Sequence, residues 1–367
     1  MKAAIWVQHL LGTGHTVRAS ALARAMNDEG IDTTLILGAT PPDTLDLSGI
    51  RTVTLAPVFT IEQDFKNLGG PDGGYSSLAD ERRQAILEAV DGADAFITEG
   101  FPFGRKPFAA ELREPLAKVR AGGGITISSV RDILVRKDVP RRAFMAKVAR
   151  ETMDHIIVHG DETLTGPRDT FHMDPAEIPP VHYTGYIHNV VVSGSAEPHG
   201  KIVVTAGGGG FGSGLFEAAL GAAALWPEGP PWHLLIPKPL ADSIAGWQRM
   251  APANVTVEPN RRDFQSFLGG ASLCISQAGY NTFLDAIAAG PPMVLIPFAD
   301  GDETEQSDRA ALYSQFQGIS VIDPEILTPE KLLAASKAAL AGPRPNIKIR
   351  ADGAARAARH IKTLAGG

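Results

Sequence analysis

A single cysteine, Cys274, is all the thiol chemistry in this chain of 367 residues. An internal disulfide is excluded, and Cys274 falls in an apolar run, where a thiol behaves as a small core hydrophobe. Long hydrophobic runs are missing as well: none reaches the roughly 18 residues that a membrane-crossing helix needs. An excess of positive charge is absent too. The 34 Lys and Arg against 41 Asp and Glu leave a net charge of −7, which argues against a dedicated nucleic-acid binder. No CxxC, HExxH or Ser-His-Asp arrangement occurs to support thiol, zinc-peptidase or serine-hydrolase chemistry. The first residues, MKAAIWVQHLLGTGH, hold one lysine before their apolar stretch. They read as a strand entering a glycine turn, not a leader, and the cytoplasm is the expected compartment.

What is present is an alternation of apolar strands with helical stretches, the pattern of parallel α/β sheets. The length suits two domains, and 44% hydrophobic residues suffice for two cores. A first series of strands is expected at Ala3–Val7, Thr33–Leu37, Thr52–Leu55, Ala95–Thr98, Ile125–Ser128, Ile156–His159 and His182–Thr184. A second follows at Lys201–Thr205, His233–Ile236, Val255–Val257, Ser272–Ile275, Val294–Pro297 and Ser320–Ile322. Each series opens on a strand followed by a glycine-rich turn, Leu11 to His15 in the first and Ala206 to Gly214 in the second. That doubling predicts two Rossmann-like halves, 1–190 and 198–345, joined through Asn189 to Gly200. The segment Glu62 to Tyr75 is polar and glycine-rich and reads as a mobile loop. The tail from Pro343 to Leu364 reads as an Ala/Arg-rich helix that needs a docking surface.

The most informative stretch is Ser276 to Gln306, SQAGYNTFLDAIAAGPPMVLIPFADGDETEQ. A strand leads to Gly279, a helix over Tyr280 to Ala289, a Gly290-Pro291-Pro292 stop, a second strand, and a polar loop. The turn after a strand of a parallel sheet opens a helix N-terminus suited to an anion. Asp285 on that helix can take a ribose diol, and Glu305 and Gln306 lie on the same rim. Phosphate site, carboxylate and polar loop together describe a nucleotide-sugar pocket.

This segment resembles the donor-binding signature of glycosyltransferase family 28, of GT-B fold. The resemblance implies two Rossmann-like domains with a cleft between them, and a last helix, about 345–367, that crosses back to the first domain. It implies a nucleotide-sugar donor, UDP-linked, held by Gly279, Asn281, Asp285, Glu305 and Gln306, with Asp285 at the ribose. The family commonly has Glu at the ribose position and two Gln in the loop, so Asp285 and Glu305 depart from it. The D-x-D of Asp300-Gly301-Asp302 belongs to metal-dependent transferases of another fold, and no bound metal or cofactor is expected.

Two glycine turns complete the reading. In TAGGGGFGSG, Gly207, Gly208 and Gly209 let backbone N–H groups approach a phosphate. Ser213 can cap the next helix or donate to the ligand. In GTGHTVRASALARAM, Gly14 and His15 open a helix running to about Glu29. A helix N-terminus disfavours imidazolium, so His15 is a candidate base, with helix capping or phosphate binding as the plainer role. Arg18 reads as a structural or ligand-facing cation. Glu99 ends a strand at the ligand-binding edge. It can orient His15, act as the base itself, hold an acceptor hydroxyl, or pair with Arg105 or Lys106. Phe101 to Phe103 read as an apolar rim, with Arg131 beside the acceptor. Residues Arg131 to Arg150 carry seven basic and two acidic side chains. Such a run is a solvated helix face, or attracts an anionic acceptor or, weakly, a membrane surface. The elements ITEGFPFGR, SVRDIL and HGDE resemble a group of bacterial glycosyltransferases related to family 28.

The expected activity is inverting transfer of a sugar from a nucleotide diphosphate to an acceptor hydroxyl, with His15 as base. The acceptor is not legible. A nucleotide-sugar hydrolase like that of pseudaminic acid synthesis and a UDP-sugar 2-epimerase share the architecture and stay open. A nucleotide-sugar-binding protein without activity is a weaker alternative.

Overall fold

The computed structural model describes residues 1–10, 14–42, 45–61, 64–70, 73–188, 199–209, 212–298 and 303–366. Two compact units emerge, one of Met1–His188 with Arg350–Gly367, the other of Asn189–Ile349.

The first unit is built on strands β1 (Lys2–Val7), β2 (Asp32–Leu37) and β3 (Arg51–Thr54). A small antiparallel sheet follows, β4 (Phe59–Ile61), β5 (Asp64–Gly70) and β6 (Gly73–Gly74). The unit closes with β7 (Ala95–Glu99), β8 (Ile125–Arg131), β9 (His155–His159) and β10 (Val181–Tyr183). Its helices are α1 (Gly14–Asp28), α2 (Ala79–Ala89), α3 (Ala109–Ala121), α4 (Val139–Thr152) and α5 (Pro167–Phe171). Seven strands form one parallel sheet in the order β10-β9-β8-β7-β1-β2-β3. Every residue of β7 is buried, as a strand covered on both faces requires. The strand order reverses between β1 and β7, which pair directly, Ala3 opposite Ala95. A sheet wound both ways from such a point opens a crevice at its carboxyl edge.

The second unit repeats the plan with β11 (Ile202–Thr205), β12 (Trp232–Ile236), β13 (Val255–Pro259), β14 (Leu273–Ser276), β15 (Met293–Leu295) and β16 (Ile319–Val321). Its helices are α6 (Ser213–Ala224), α7 (Ile244–Met250), α8 (Phe264–Gly269), α9 (Tyr280–Ala289), α10 (Glu305–Tyr313) and α11 (Pro329–Ala341). The sheet is again parallel, ordered β13-β12-β11-β14-β15-β16, so its reversal lies between β11 and β14. The chain then re-enters the first unit with α12 (Gly353–Leu364).

Two expectations need correction. The segment read as a mobile loop over 62–75 carries β5 and β6, with Phe59 opposite Gly69 and Gly69 opposite Gly74. Backbone ladders hold it, and glycine-rich strands lack the side-chain alternation by which strands are recognised. The tail is helical only from Gly353. Pro343 and Pro345 offer no N–H, and the stretch before Gly353 is irregular. Its re-entry is fixed by backbone contacts instead. The Tyr186 amide donates to the Arg350 carbonyl at 2.6 Å and the Gly353 amide to that of Tyr186 at 3.0 Å. A Cβ on Gly353 would stand 2.2 Å from the Gly185 oxygen, so only glycine fits there.

Helix α12 lays Ala357, Ala358 and Ile361 into the core formed by Ala19, Leu22, Ala23 and Met26 of α1. The Lys362 ammonium donates to the Glu29 carbonyl at 2.8 Å beyond that seam. Ile361 is fully buried. Replacing it with Ala should destabilise the first unit by about 2–4 kcal/mol, the cost of a cavity that small neighbours cannot fill. Equilibrium denaturation of Ile361→Ala against the parent measures this, and an unchanged midpoint would show that α12 is not part of that core.

Candidate active site

The first unit's reversal point is occupied by polar groups that the topology brings together. His15 sits in the first turn of α1, which leaves β1, and Glu99 is the last residue of β7, the neighbour of β1. His15 Nδ1 lies 3.0 Å from Glu99 Oε1. Arg18, one turn further along α1, donates to the same oxygen through Nε at 3.1 Å and through a short contact from Nη2. Ser129 Oγ donates to the other oxygen at 2.5 Å, and His159 Nε2 lies 2.8 Å from that hydroxyl. Glu99, Ser129 and His159 are at most 1% exposed.

These contacts decide protonation. Burial works to raise the pKa of Glu99. The Arg18 guanidinium and the His15 hydrogen bond outweigh it and hold the carboxyl well below the usual carboxylate range. Burial, and after it the charge of Arg105, pushes His15 down to about 3, against the pull of Glu99. His15 keeps 21% of its side-chain surface open, so solvent screening tempers that shift. Its direction leaves the imidazole neutral at pH 7. Arg18 Nη2 also lies 3.1 Å from Nδ1, but it donates to Glu99 Oε1. A lone pair on Nδ1 would face that carboxylate oxygen, so the proton belongs on Nδ1 and points at Glu99. Nε2 then carries the lone pair that can accept a proton.

Several other predicted residues have inward tasks. Arg18 is 6% exposed and bound to Glu99, so it supports the site rather than meeting an acceptor. Phe101 and Phe103 are core, not rim. Phe101 packs with Trp6 and Phe108, and Phe103 lies against Phe171 with ring centroids 4.9 Å apart. The Phe101 carbonyl accepts from Thr98 and Ser128 hydroxyls, which fastens the loop after β7. Neither Arg105 nor Lys106 replaces Arg18 as partner of Glu99. Arg105 Nε donates to the Gln8 carbonyl at 2.8 Å. Arg131 is half-buried at the end of β8, opposite His159 in register. The basic run forms α4 and lines a surface pocket through Arg136 and Arg142, but Asp174 and Glu177 line it too.

The second unit places its glycine turns at its own reversal point, after β11 and β14. Gly207 has φ +71°, and a Cβ there would meet the Thr282 hydroxyl of α9 at 2.7 Å. Gly208 and Gly209 are exposed, with nothing within 4 Å of an added Cβ. Gly279 is the N-cap of α9 and makes no side-chain cap, as a helix end presenting amides to a ligand requires. Asn281 and Asp285 are four apart on α9 and so share a face. Asn281 is exposed and Asp285 half-buried. Gln306 accepts from the Phe298 amide at 3.0 Å, and its Nε2 comes within 3.8 Å of a Cβ built on Gly279. Two expectations change here. Of the two roles read for Ser213, the cap is ruled out, since Gly212 is the N-cap of α6 and Ser213, exposed, is its first helical residue. Glu305 is buried and holds Arg309 at 2.9 Å, while Arg309 binds the Ala278 carbonyl at 2.8 Å. Glu305 therefore braces the Gly279 turn from behind. The sequence reading missed Arg309, Ser129 and His159; the i,i+4 spacing of Glu305 and Arg309 was the available signal for the first.

Among the described residues no group of three or more His, Cys, Asp and Glu is placed to hold a metal ion. Asp300, Gly301 and Asp302, and the turn residues 11–13, 210 and 211, lie outside them, as do residues 189–198 of the expected linker. No described helix is long and apolar enough to cross a membrane.

Known proteins resemble this chain in sequence and in fold. Residues 242–364 match the glycosyltransferase family 28 C-terminal domain. Over 142 residues the chain is 30% identical to the UDP-N-acetylglucosamine--N-acetylmuramyl-(pentapeptide) pyrophosphoryl-undecaprenol N-acetylglucosamine transferase of Agrobacterium fabrum, covering 37% of each protein. It is 29% identical over 161 residues to the protein of the same name from Brucella anthropi, covering 42% of this chain and 41% of that one. The chain thus spans about two fifths of the length of these relatives. Among solved structures, MurG of Acinetobacter baumannii superposes with a TM-score of 0.62 at 16% identity, over all of this chain and 98% of that one. CalG4, the calicheamicin glycosyltransferase, gives 0.62 at 15% identity, over all of this chain and 95% of that one. The fold is GT-B with two Rossmann-like units, and the chain is family 28-like.

The buried histidines make the first unit acid-sensitive. Burial pushes His159 down to about 3, below the 6.5 of an unfolded chain, so its stabilisation is complete above pH 6.5 and lost as pH falls toward 3. Each pH unit in that window removes about 1.4 kcal/mol per such group. Unfolding free energy measured from pH 7 to 5 should fall, and more gently in His159→Gln. Equal slopes in the two proteins would mean that His159 binds protons alike in the folded and unfolded states.

Proposed function

We propose that this family 28-like chain of GT-B fold is a glycosyltransferase that moves a sugar from a nucleotide diphosphate to an acceptor hydroxyl with inversion. The observation that carries the reading is the His15–Glu99 pair at the reversal point of the first unit. An imidazole kept neutral, with Nδ1–H fixed on a carboxylate, is prepared to accept a proton at Nε2. Binding alone requires no such arrangement. Glu99 orients the base and balances the imidazolium as it forms, and it does not take the proton itself.

The second unit holds the nucleotide. Amides of the Gly207–Gly209 turn and of the α9 N-terminus receive the diphosphate, stabilise it as it leaves, and supply the positive potential without a metal ion. Asp285, with Asn281 on the same face, takes the ribose hydroxyls, and Gln306 faces the sugar. The relatives' name makes UDP-N-acetylglucosamine the donor to test first. Release of free N-acetylglucosamine without an acceptor would favour the hydrolase, and an epimer the epimerase.

Two substitutions test the assignment. His15→Ala should lower turnover of UDP-N-acetylglucosamine about 10²–10⁴-fold, the usual contribution of a general base, and leave UDP affinity nearly unchanged. Weakened UDP binding with near-normal turnover at saturation would reduce His15 to a phosphate ligand or helix cap. Asp285→Ala should weaken UDP binding about tenfold or more in calorimetry, because a charge-assisted hydrogen bond is lost, with little change in melting temperature. Unaltered UDP binding would remove Asp285 from the site.

A further inference from the structure

Four neighbouring elements contribute to one chain of hydrogen bonds along the carboxyl edge of the first sheet. His159 ends β9, Ser129 lies in β8, Glu99 ends β7, and His15 opens the helix after β1. Their order in space, β9-β8-β7-β1, is the order of the contacts. We propose that Ser129 and His159 are positioning residues for His15, acting through Glu99 in a chain of hydrogen bonds whose protons all point toward that carboxylate. The inference rests on reading His15 as the base.

The proton order follows from counting donors. Glu99 is ionised and can only accept. Ser129 has one hydroxyl hydrogen, and Glu99 Oε2 takes it at 2.5 Å. The hydroxyl therefore meets His159 with a lone pair, and His159, neutral, must donate from Nε2 across 2.8 Å. The far ring nitrogen lies 3.4 Å from the Thr184 hydroxyl, too long for a strong hydrogen bond. Glu99 Oε1 already receives Arg18 and His15, so Ser129 is what holds the second oxygen. Without it the carboxylate can rotate, and Oε1 loses its place opposite His15 Nδ1. Apolar residues would pack positions 129 and 159 without the cost of burying a hydroxyl and an imidazole.

Nitrogen-15 NMR of histidine-labelled protein at pH 7 reads the tautomers directly, with His15→Gln and His159→Gln to assign the signals. His15 should be a single Nδ1–H form and His159 a single Nε2–H form. In Ser129→Ala and in His159→Leu the His15 signals should shift toward a mixture of tautomers. In His159→Gln, whose amide can still donate to Ser129, they should stay. An Nδ1–H form of His159 in the unaltered protein, or a His15 tautomer unmoved in both disruptive variants, overturns the proposal. The first of these needs no variant to fold. Turnover separates the two readings. Full activity of His15→Ala defeats the base assignment. A silent His15→Ala with His15 unmoved in Ser129→Ala and His159→Leu defeats the chain alone.

Discussion

A carboxylate removed from water must be answered by donors, and at Glu99 that requirement organises the first unit's reversal point. Burial of an ionised carboxyl without partners is prohibitive. Here Arg18, His15 and Ser129 supply the donors, from α1 and β8, on either side of β7. Once the guanidinium and the hydroxyl are committed to Glu99, little freedom is left to the imidazole. The same desolvation that makes Glu99 costly fixes which nitrogen of His15 faces outward.

The two units share a winding plan and use it differently. In both, the strand order reverses beside the first strand of the sheet, and in both a glycine, Gly14 or Gly212, stands at the start of the first helix there. The first unit fills that point with ionisable groups. The second fills it with backbone, namely Gly207 against Thr282, Gly279 at the cap of α9, and Arg309 bracing the Ala278 carbonyl from inside. Backbone amides suit a ligand whose charge is already fixed, such as a diphosphate, because they respond little to pH. Side chains such as His15 can exchange a proton, which backbone amides cannot.

The sheets were legible because a strand covered on both faces reads as an unbroken apolar run; β1, β7 and β12 announce themselves this way. The β4–β6 sheet did not, since Gly69, Gly70, Gly73 and Gly74 contribute ladders but no pattern. The meeting of His15 with Glu99 and the place of Gly279 at the start of α9 were within reach because turn chemistry and strand ends locate the carboxyl edge. What could not be read was direction. Nothing local distinguishes Phe101 as core from Phe101 as rim, and for Glu305 the local cue was only its i,i+4 spacing from Arg309. The rest depends on partners that the fold brings in: Trp6 and Phe108 in one case, the Ala278 carbonyl in the other. Ser129 and His159 look like ordinary ends of buried strands until β8 and β9 are laid beside β7.

The protonation of His15 is a matter of burial and neighbouring charge. Arg105 lowers its pKa by an effect that ranks just after burial, the Glu99 hydrogen bond raises it, and the Arg18 charge, lowering it, ranks after that bond. Burial, and after it the charge of Arg131, brings Arg105 itself down to about 10, still protonated at neutral pH. At rest the imidazole is therefore reliably neutral and only weakly basic, a state that avoids protonation by solvent but accepts a proton reluctantly. Any anion drawn close to Arg105 must screen that cation and raise the proton affinity of His15, by the same linkage that lowers it now. Arg18, which helps keep Glu99 ionised, and Arg105 thus set the protonation of His15 together.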